Sequence, residues 1–256
     1  MSVKSLFSME GKNVIVTGSA QGLGKEMALA LAEAGANIAL VDRNEQGAKN
    51  VAKEIENIGR KALVIKTELS QIGEIKKMVK EVKDSFGRID ILVNNAADFR
   101  SVPAVQISLK EWYKTIDDNL TSAFLCCKII GKEMIKQKKG VIINLSSVAG
   151  RVVVRPQIQA HYHIAKSGLE ALTRTLAVEW AKYNIRVNAI APGYMKTPPV
   201  EKMRKVYENE WLNLIPQGRI AEASEIRGSV LFLASDDASS YITGIVLTVD
   251  GGYTLW

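Results

Sequence analysis

Cysteine is nearly absent from this chain. The two that occur, Cys126 and Cys127, are neighbours inside an apolar stretch with helical spacing. No stabilising disulfide is expected from such a pair, and a reducing compartment, the cytoplasm, is the expected setting. Histidine is as scarce: His161 and His163 are the only two. With so few soft ligands no metal cluster can be assembled from the usual spacings. No apolar run approaches the roughly 20 uncharged residues a membrane span needs, and Met1–Lys12 carries no apolar core of the secretion-signal kind. These shortages exclude a disulfide scaffold, a zinc module and a membrane-spanning protein.

What is present fits one large α/β unit of 256 residues, 47% hydrophobic and 24% charged. The net charge of +7, from 34 basic and 27 acidic residues, is spread among acids on helical stretches such as Glu74-Ile75-Lys76-Lys77. It reads as a solvated surface rather than a basic stripe, so a nucleic-acid partner is not expected. Short runs that are apolar throughout lie at Asn13–Thr17, Asn37–Val41, Ala62–Ile65, Ile89–Val93, Val141–Leu145, Ile185–Ile190 and Ile245–Val249. Strands buried on both faces have this appearance. Amphipathic stretches alternate with them at Gly22–Ala34, Gln46–Ile58, Ile72–Phe86, Leu109–Met134, Ala165–Tyr183 and Ser224–Leu233. Gly35 and Gly59 stand at C-cap positions, Ser70 and Ser108 at N-cap positions, and Glu111 completes a capping box with Ser108. The alternation predicts a doubly wound, seven-stranded parallel sheet with right-handed crossovers and helices on both faces. One stretch breaks it, residues 192–219, where Pro192, Pro198, Pro199 and Pro216 gather. It includes an amphipathic piece, Val200–Leu214, and sits where a substrate lid would lie.

Two places carry chemistry. Between the first strand and the first helix runs Thr17-Gly18-Ser19-Ala20-Gln21-Gly22-Leu23-Gly24. Its spacing differs from G-x-G-x-x-G, but the physics is shared: a tight turn at Gly18, and close backbone approach at Gly22 and Gly24. A pyrophosphate could then meet the free N–H groups of a helix N-terminus. Asp42, 18 residues after Gly24, can accept both ribose hydroxyls of NAD and would repel the 2′-phosphate of NADP; Arg43 beside it pulls the other way. The second place is Tyr162-His163-Ile164-Ala165-Lys166. Spacing i, i+4 puts the ammonium near the phenol on one helix face. A cation there is expected to lower the phenol pKa toward neutrality and fit it for proton exchange.

Together with Asn94-Asn95-Ala96-Ala97, Asn119, Ser146-Ser147, Pro192-Gly193 and Asp250-Gly251-Gly252, these motifs resemble the classical short-chain dehydrogenase/reductase family, in its order and over essentially the whole chain. The resemblance implies a Rossmann-type fold and residue roles. Tyr162 would be the acid/base and Lys166 would bind the nicotinamide ribose. Ser147, preferred to Ser146 because Ser147-Val148-Ala149-Gly150 matches the family's S-x-x-G, would hold the substrate oxygen. Asn119 would hold a water leading from Lys166 to solvent. Cofactor contacts would come from Gly18, Gln21, Gly22, Leu23 and Gly24, then from Asp42, Arg43, Glu68 and Leu69. Asn95, Ala96, Ala97, Tyr162, Lys166, Pro192, Gly193 and Thr197 would complete them, with Asn94 bracing the sheet. Two residues depart from the family pattern: alanine at 97 for glycine, tolerable if its φ is negative, and glutamate at 68 for aspartate. The segment from Ser147 to Tyr162 is also about two residues longer than the family pattern.

The expected activity is therefore hydride transfer between NAD(H), favoured over NADP(H), and a secondary alcohol or ketone on a polyol, ketose or sugar acid. A 3-oxoacyl carrier-protein reductase or a broad carbonyl reductase is the alternative. A nucleotide-sensing regulator would not need Asn119, Ser147, Tyr162 and Lys166 all intact. Arg100, Arg151 and Arg155 follow elements ending at the site, so an anionic or polyhydroxylated substrate is a further expectation. A homotetramer is implied by the resemblance, and Phe124, Leu125, Leu169, Leu172, Leu176 and Trp180 suggest a second apolar stripe for a partner subunit. His161 and His163 are expected to pack or face solvent.

Overall fold

The computed structural model describes residues 3–256. Seven strands form one parallel sheet: β1 (Asn13–Thr17), β2 (Asn37–Asp42), β3 (Ala62–Lys66), β4 (Ile91–Asn94), β5 (Gly140–Leu145), β6 (Ile185–Pro192) and β9 (Val246–Val249), in the order β3-β2-β1-β4-β5-β6-β9. The two remaining strands, β7 (Met195–Lys196) and β8 (Ala221–Glu222), pair only with each other. The strand order reverses between β1 and β4. In open parallel sheets this is where loops diverge and leave a crevice at the carboxyl ends of the strands.

Each strand sends alternate side chains to opposite faces, which divides the core in two. Val14, Val16, Ile38, Leu40 and Ile143 face α1 (Gly22–Glu33), α2 (Glu45–Asn57) and α8 (Arg227–Ala234). Ile15, Ala39, Val41, Leu92 and Ile142 face α3 (Ile72–Phe86), α5 (Ser122–Gln137) and α6 (Ala160–Trp180). Cys126 and Cys127 are free thiols buried in the second core, and burial raises the pKa of both. A third, smaller cluster joins Val148, Val154, Trp211, Ile215 and Tyr253 beneath α7 (Pro198–Leu214). The short helix α9 (Asp236–Ser239) follows α8 and packs on it.

Several expectations need correcting. The stretch read as one helix over 109–134 is helical throughout, but a π turn at Asp117–Thr121 divides it into α4 (Leu109–Ile116) and α5. The apolar periodicity continues through that turn and hid it. Helix α6 begins at Ala160, so Tyr162 already lies in its first turn. Residues 192–219 are mostly regular, holding β7 and the 17-residue α7. Proline at the start of α7 costs nothing, because the first helical N–H groups have no partner anyway. Ser108 and Glu111 form their capping box. Ser70 is not the cap of α3: Gln71 takes that position, and the Ser70 hydroxyl donates to Glu68 at 3.2 Å. Of the supposed second apolar stripe, Leu169, Leu176 and Trp180 are buried within this chain, whereas Phe124 is 43% exposed.

Candidate active site

A cleft of about 470 Å³ opens at the carboxyl ends of the strands. Its floor is set by backbone geometry. Gly18 has φ +65° and Gly22 φ +58°, a region that favours glycine. A Cβ on Gly18 would come within 2.8 Å of the Ala96 Cα, and one on Gly24 within 2.1 Å of the Gly18 carbonyl oxygen. The loop and β4 are tied together by Thr17 and Asn95. The Thr17 hydroxyl accepts from the N–H groups of Asn95 (3.0 Å) and Ala96 (3.1 Å), and the Asn95 amide donates to the carbonyls of Thr17 (3.0 Å) and Gly18 (2.9 Å). The first turn of the 12-residue α1 is thereby aimed into the cleft.

At the end of β2, the Asp42 carboxylate accepts from the N–H of Ala20 (2.9 Å) and of Asn44 (2.8 Å). The same acid thus shapes the glycine loop and lines the cleft. The Arg43 guanidinium is taken up by Asp118 at 2.8 Å and Glu68 at 3.5 Å. Ala97 has a negative φ, since the positive-φ residues other than glycine are Lys138 and Asn184. Alanine is unstrained there.

The other half of the cleft is built on β5 and the start of α6. Ser146 and Ser147 diverge. The Ser146 hydroxyl is buried and donates to Glu170 (3.2 Å) and the Lys166 carbonyl (3.3 Å), whereas the half-buried Ser147 accepts from the Ala149 N–H at 3.1 Å and lines the cleft. Lys166 is 2% exposed, donates to the Leu145 carbonyl at 2.8 Å, and lies 5.5 Å from the Tyr162 ring centroid. The expected pKa arrangement is overturned. Burial pushes the Tyr162 phenol up to about 12, with a Ser147 hydrogen bond pulling it down. Burial also pushes Lys166 down to about 7. Desolvation of each charged form outweighs the attraction between them.

Asn119 sits in the π turn, 1% exposed. Its amide donates to the carbonyls of Asp98 (2.6 Å) and Thr115 (2.9 Å), and its Oδ1 has no partner. An unpaired buried acceptor costs on the order of 1–3 kcal/mol, which a bound water would relieve.

Most of the residues expected to hold a cofactor meet here. Gly18, Gln21, Gly22, Leu23, Asp42, Arg43, Glu68 and Leu69 line one stretch of the cleft. Asn95, Ala96, Ala97, Tyr162, Lys166, Pro192, Gly193 and Thr197 line the rest. Gly24 does not; it is buried behind the loop, where only hydrogen fits. Asn119 also stands behind the wall. Asn94 braces the sheet as expected, donating to Asn144 of β5 at 2.9 Å. Gly193 packs on Asp250, which places the Asp250-Gly251-Gly252 turn against the Pro192-Gly193 corner. The residues present fit a nicotinamide dinucleotide: a side-chain-free loop before a helix N-terminus, a ribose-height carboxylate and a buried lysine share one crevice.

The three arginines expected at the substrate end are elsewhere. Arg151 donates to Glu170 (3.3 Å) and the Val246 carbonyl (3.2 Å). Arg100 and Arg155 are exposed, and none of the three lines the cleft. His161 is buried off the cleft, and His163 accepts from the Val154 N–H at 3.3 Å. Sequence reasoning missed Phe99, Val154, Gln157, Gln159 and Tyr194 as cleft residues. They lie on irregular segments with no periodicity to mark them; only their closeness to Tyr162 and Pro192 was a signal. Among the described residues no cluster could hold a metal, and no helix is long and apolar enough to cross a membrane.

A family model described as enoyl-(acyl carrier protein) reductase matches residues 18–254. The chain is 37% identical over 259 residues to galactitol 2-dehydrogenase of Rhizobium johnstonii, covering 100% of both. It is 39% identical over 243 residues to a 3-oxoacyl-[acyl-carrier-protein] reductase of Synechocystis, covering 94% of this chain and 96% of that one. The crystal structure of a short-chain type dehydrogenase/reductase from Mycobacterium marinum superposes with a TM-score of 0.96 at 38% identity, covering 99% of each chain. The chain belongs to the classical short-chain dehydrogenase/reductase family. It is an oxidoreductase of CH–OH groups that uses a nicotinamide cofactor.

Proposed function

We propose that the protein interconverts a secondary alcohol and a ketone on a polyol or ketose, with NAD(H) preferred to NADP(H). The observation that carries this reading is the grouping of Tyr162, Ser147 and Lys166 at one end of a cleft whose other end carries Asp42. The dinucleotide would give or take the hydride. Tyr162 passes the proton to or from the substrate oxygen, and Ser147 donates a hydrogen bond to that oxygen as its charge changes. Lys166, fixed on the Leu145 carbonyl, would hold the ribose of the cofactor, and the unpaired Asn119 Oδ1 would take a water.

The NAD preference rests on Asp42 together with the capture of Arg43 by Asp118 and Glu68, which leaves that guanidinium engaged rather than free for a 2′-phosphate. The polyol side is supported by the name of the Rhizobium relative and by the absence of Arg100, Arg151 and Arg155 from the cleft lining. A sugar acid is correspondingly less favoured, and acyl carrier-protein reduction is the second reading, supported by the Synechocystis relative. We place α7 over the site as the substrate lid, and the working form as a homotetramer in the cytoplasm. The test is a turnover screen of polyols, sugar acids, diketones and 3-oxoacyl thioesters with both cofactors. Polyol oxidation with NAD supports the proposal; turnover confined to acyl thioesters with NADPH contradicts it.

A further inference from the structure

Two glutamines enter the cleft from the segment before α6, and they differ in one respect. Gln157, 5% exposed, is fully engaged. With the amide oriented to satisfy both of its ends, its carbonyl accepts from the Trp211 indole at 2.9 Å, and its nitrogen donates to the Arg155 carbonyl (3.2 Å) and the Tyr194 hydroxyl (3.1 Å). Tyr194 and Trp211 stack with centroids 4.2 Å apart, so Gln157 fastens α7 to the body. Gln159 is 7% exposed and lines the same cleft, yet its side chain makes no hydrogen bond and its Oε1 is buried without a partner. It stands three residues before Tyr162, at the N-cap of α6. Its backbone carbonyl accepts from the Tyr162 N–H at 3.0 Å, so its position is fixed relative to the tyrosine.

The lining around it is apolar or neutral. Phe99, Val154, Val200 and Met203 form walls, and among the described residues the cationic side chains lining the cleft are Arg43 and Lys166. Arg43 is spoken for by two acids and Lys166 by a carbonyl. Asp98 adds a negative charge to the lining. A carboxylate ligand would find no free cation there, and Asp42, Glu68, Asp98 and Asp118 share the lining.

We infer that Gln159 is a specificity-determining residue that hydrogen-bonds a second hydroxyl of a neutral, polyhydroxylated substrate. No protein partner fixes which end of the amide faces the cleft. A hydroxyl both donates and accepts, so it satisfies either end. A carboxylate only accepts, and a methylene chain does neither. A site with a buried polar group discriminates strongly against a ligand that leaves the group unpaired. The inference rests on the proposed alcohol–ketone activity.

The test compares Gln159→Met, which keeps length and removes both polar atoms, with the wild type. Three probes are used with NAD: a neutral hexitol, 2-hexanol and an aldonate. The wild type is expected to favour the hexitol over both others. The variant is expected to lower the ratio of kcat/KM for hexitol over 2-hexanol by about tenfold or more, with an unchanged or higher Tm because an unpaired buried amide is gone. A ratio that moves less than about threefold, a wild type that prefers the aldonate, or a variant that melts several degrees lower overturns the assignment of Gln159 while the alcohol–ketone activity stands. A wild type that turns over no alcohol or ketone with either cofactor overturns both.

Discussion

The two halves of the cleft are built on different terms. The half formed by β1, α1 and β2 is tied to itself: Thr17, Asn95 and Asp42 spend their polar atoms on backbone groups, and Gly24 leaves no room for a methyl. The half formed by the segment before α6 and by α7 is looser. Trp211 is the buried residue of α7, and the amide of Gln159 makes no bond to the protein. A rigid half suits a ligand that is always the same, and a half with unspent polar groups suits a ligand whose identity must be discriminated. Substitutions in the first half should therefore damage folding, and those in the second should damage selectivity.

The largest effect expected on stability is that of Gly24→Ala. Its Cβ would sit 2.1 Å from a carbonyl oxygen, so the loop must move. Overpacking of this kind costs about 1–3 kcal/mol, and more where backbone cannot yield. Gly73→Ala, at a helical site with nothing within 4 Å, should instead stabilise by about 0.4–1 kcal/mol. Thermal unfolding of the two variants measures the contrast, and equal effects would show that the close packing of Gly24 against the Gly18 carbonyl does not matter.

Asp42→Ala comes next. It removes the acceptor of two N–H groups as well as the charge that faces a 2′-phosphate. The ratio of kcat/KM for NAD over NADP should fall by about tenfold, equivalent to about 1.4 kcal/mol. A wild type that already prefers NADP would contradict the reading of Asp42 and Arg43.

A pH effect follows from the lowered Lys166 pKa. Lys166 falls to about 7 in the folded chain against about 10.4 when unfolded. The unfolded state thus binds more protons between those values, and stability falls as pH drops from about 10 to about 7, then levels. Lys166→Met lacks this term. Its Tm relative to wild type should therefore rise as pH falls from about 10 to about 7, in buffers run in parallel; a pH-independent difference would show Lys166 to be charged in the fold.

Much of this was legible in the sequence, for physical reasons that can be named. The buried strands announced themselves because parallel strands covered on both faces are apolar throughout. The Tyr162–Lys166 pair and the glycine loop were legible because their spacing is local. The π turn at Asp117–Thr121 was not, because it inserts into an apolar period without interrupting it. Nor were the pKa directions, since spacing reveals that Lys166 is near Tyr162 but not that both lose water. The arginines misled for a similar cause: position after a strand end says nothing of where a long side chain turns, and Arg151 turns to Glu170.

The central claim, that Tyr162 carries the proton in alcohol–ketone exchange, is tested most directly by Tyr162→Phe. Cofactor binding is followed by fluorescence titration and turnover by the absorbance of the reduced nicotinamide, each over a pH series. The account predicts unchanged cofactor affinity and a turnover lower by about 10²–10⁴-fold. In the wild type, alcohol oxidation should rise with pH toward the raised Tyr162 pKa of about 12. Turnover by Tyr162→Phe within a few-fold of wild type, with the same pH profile, would contradict it.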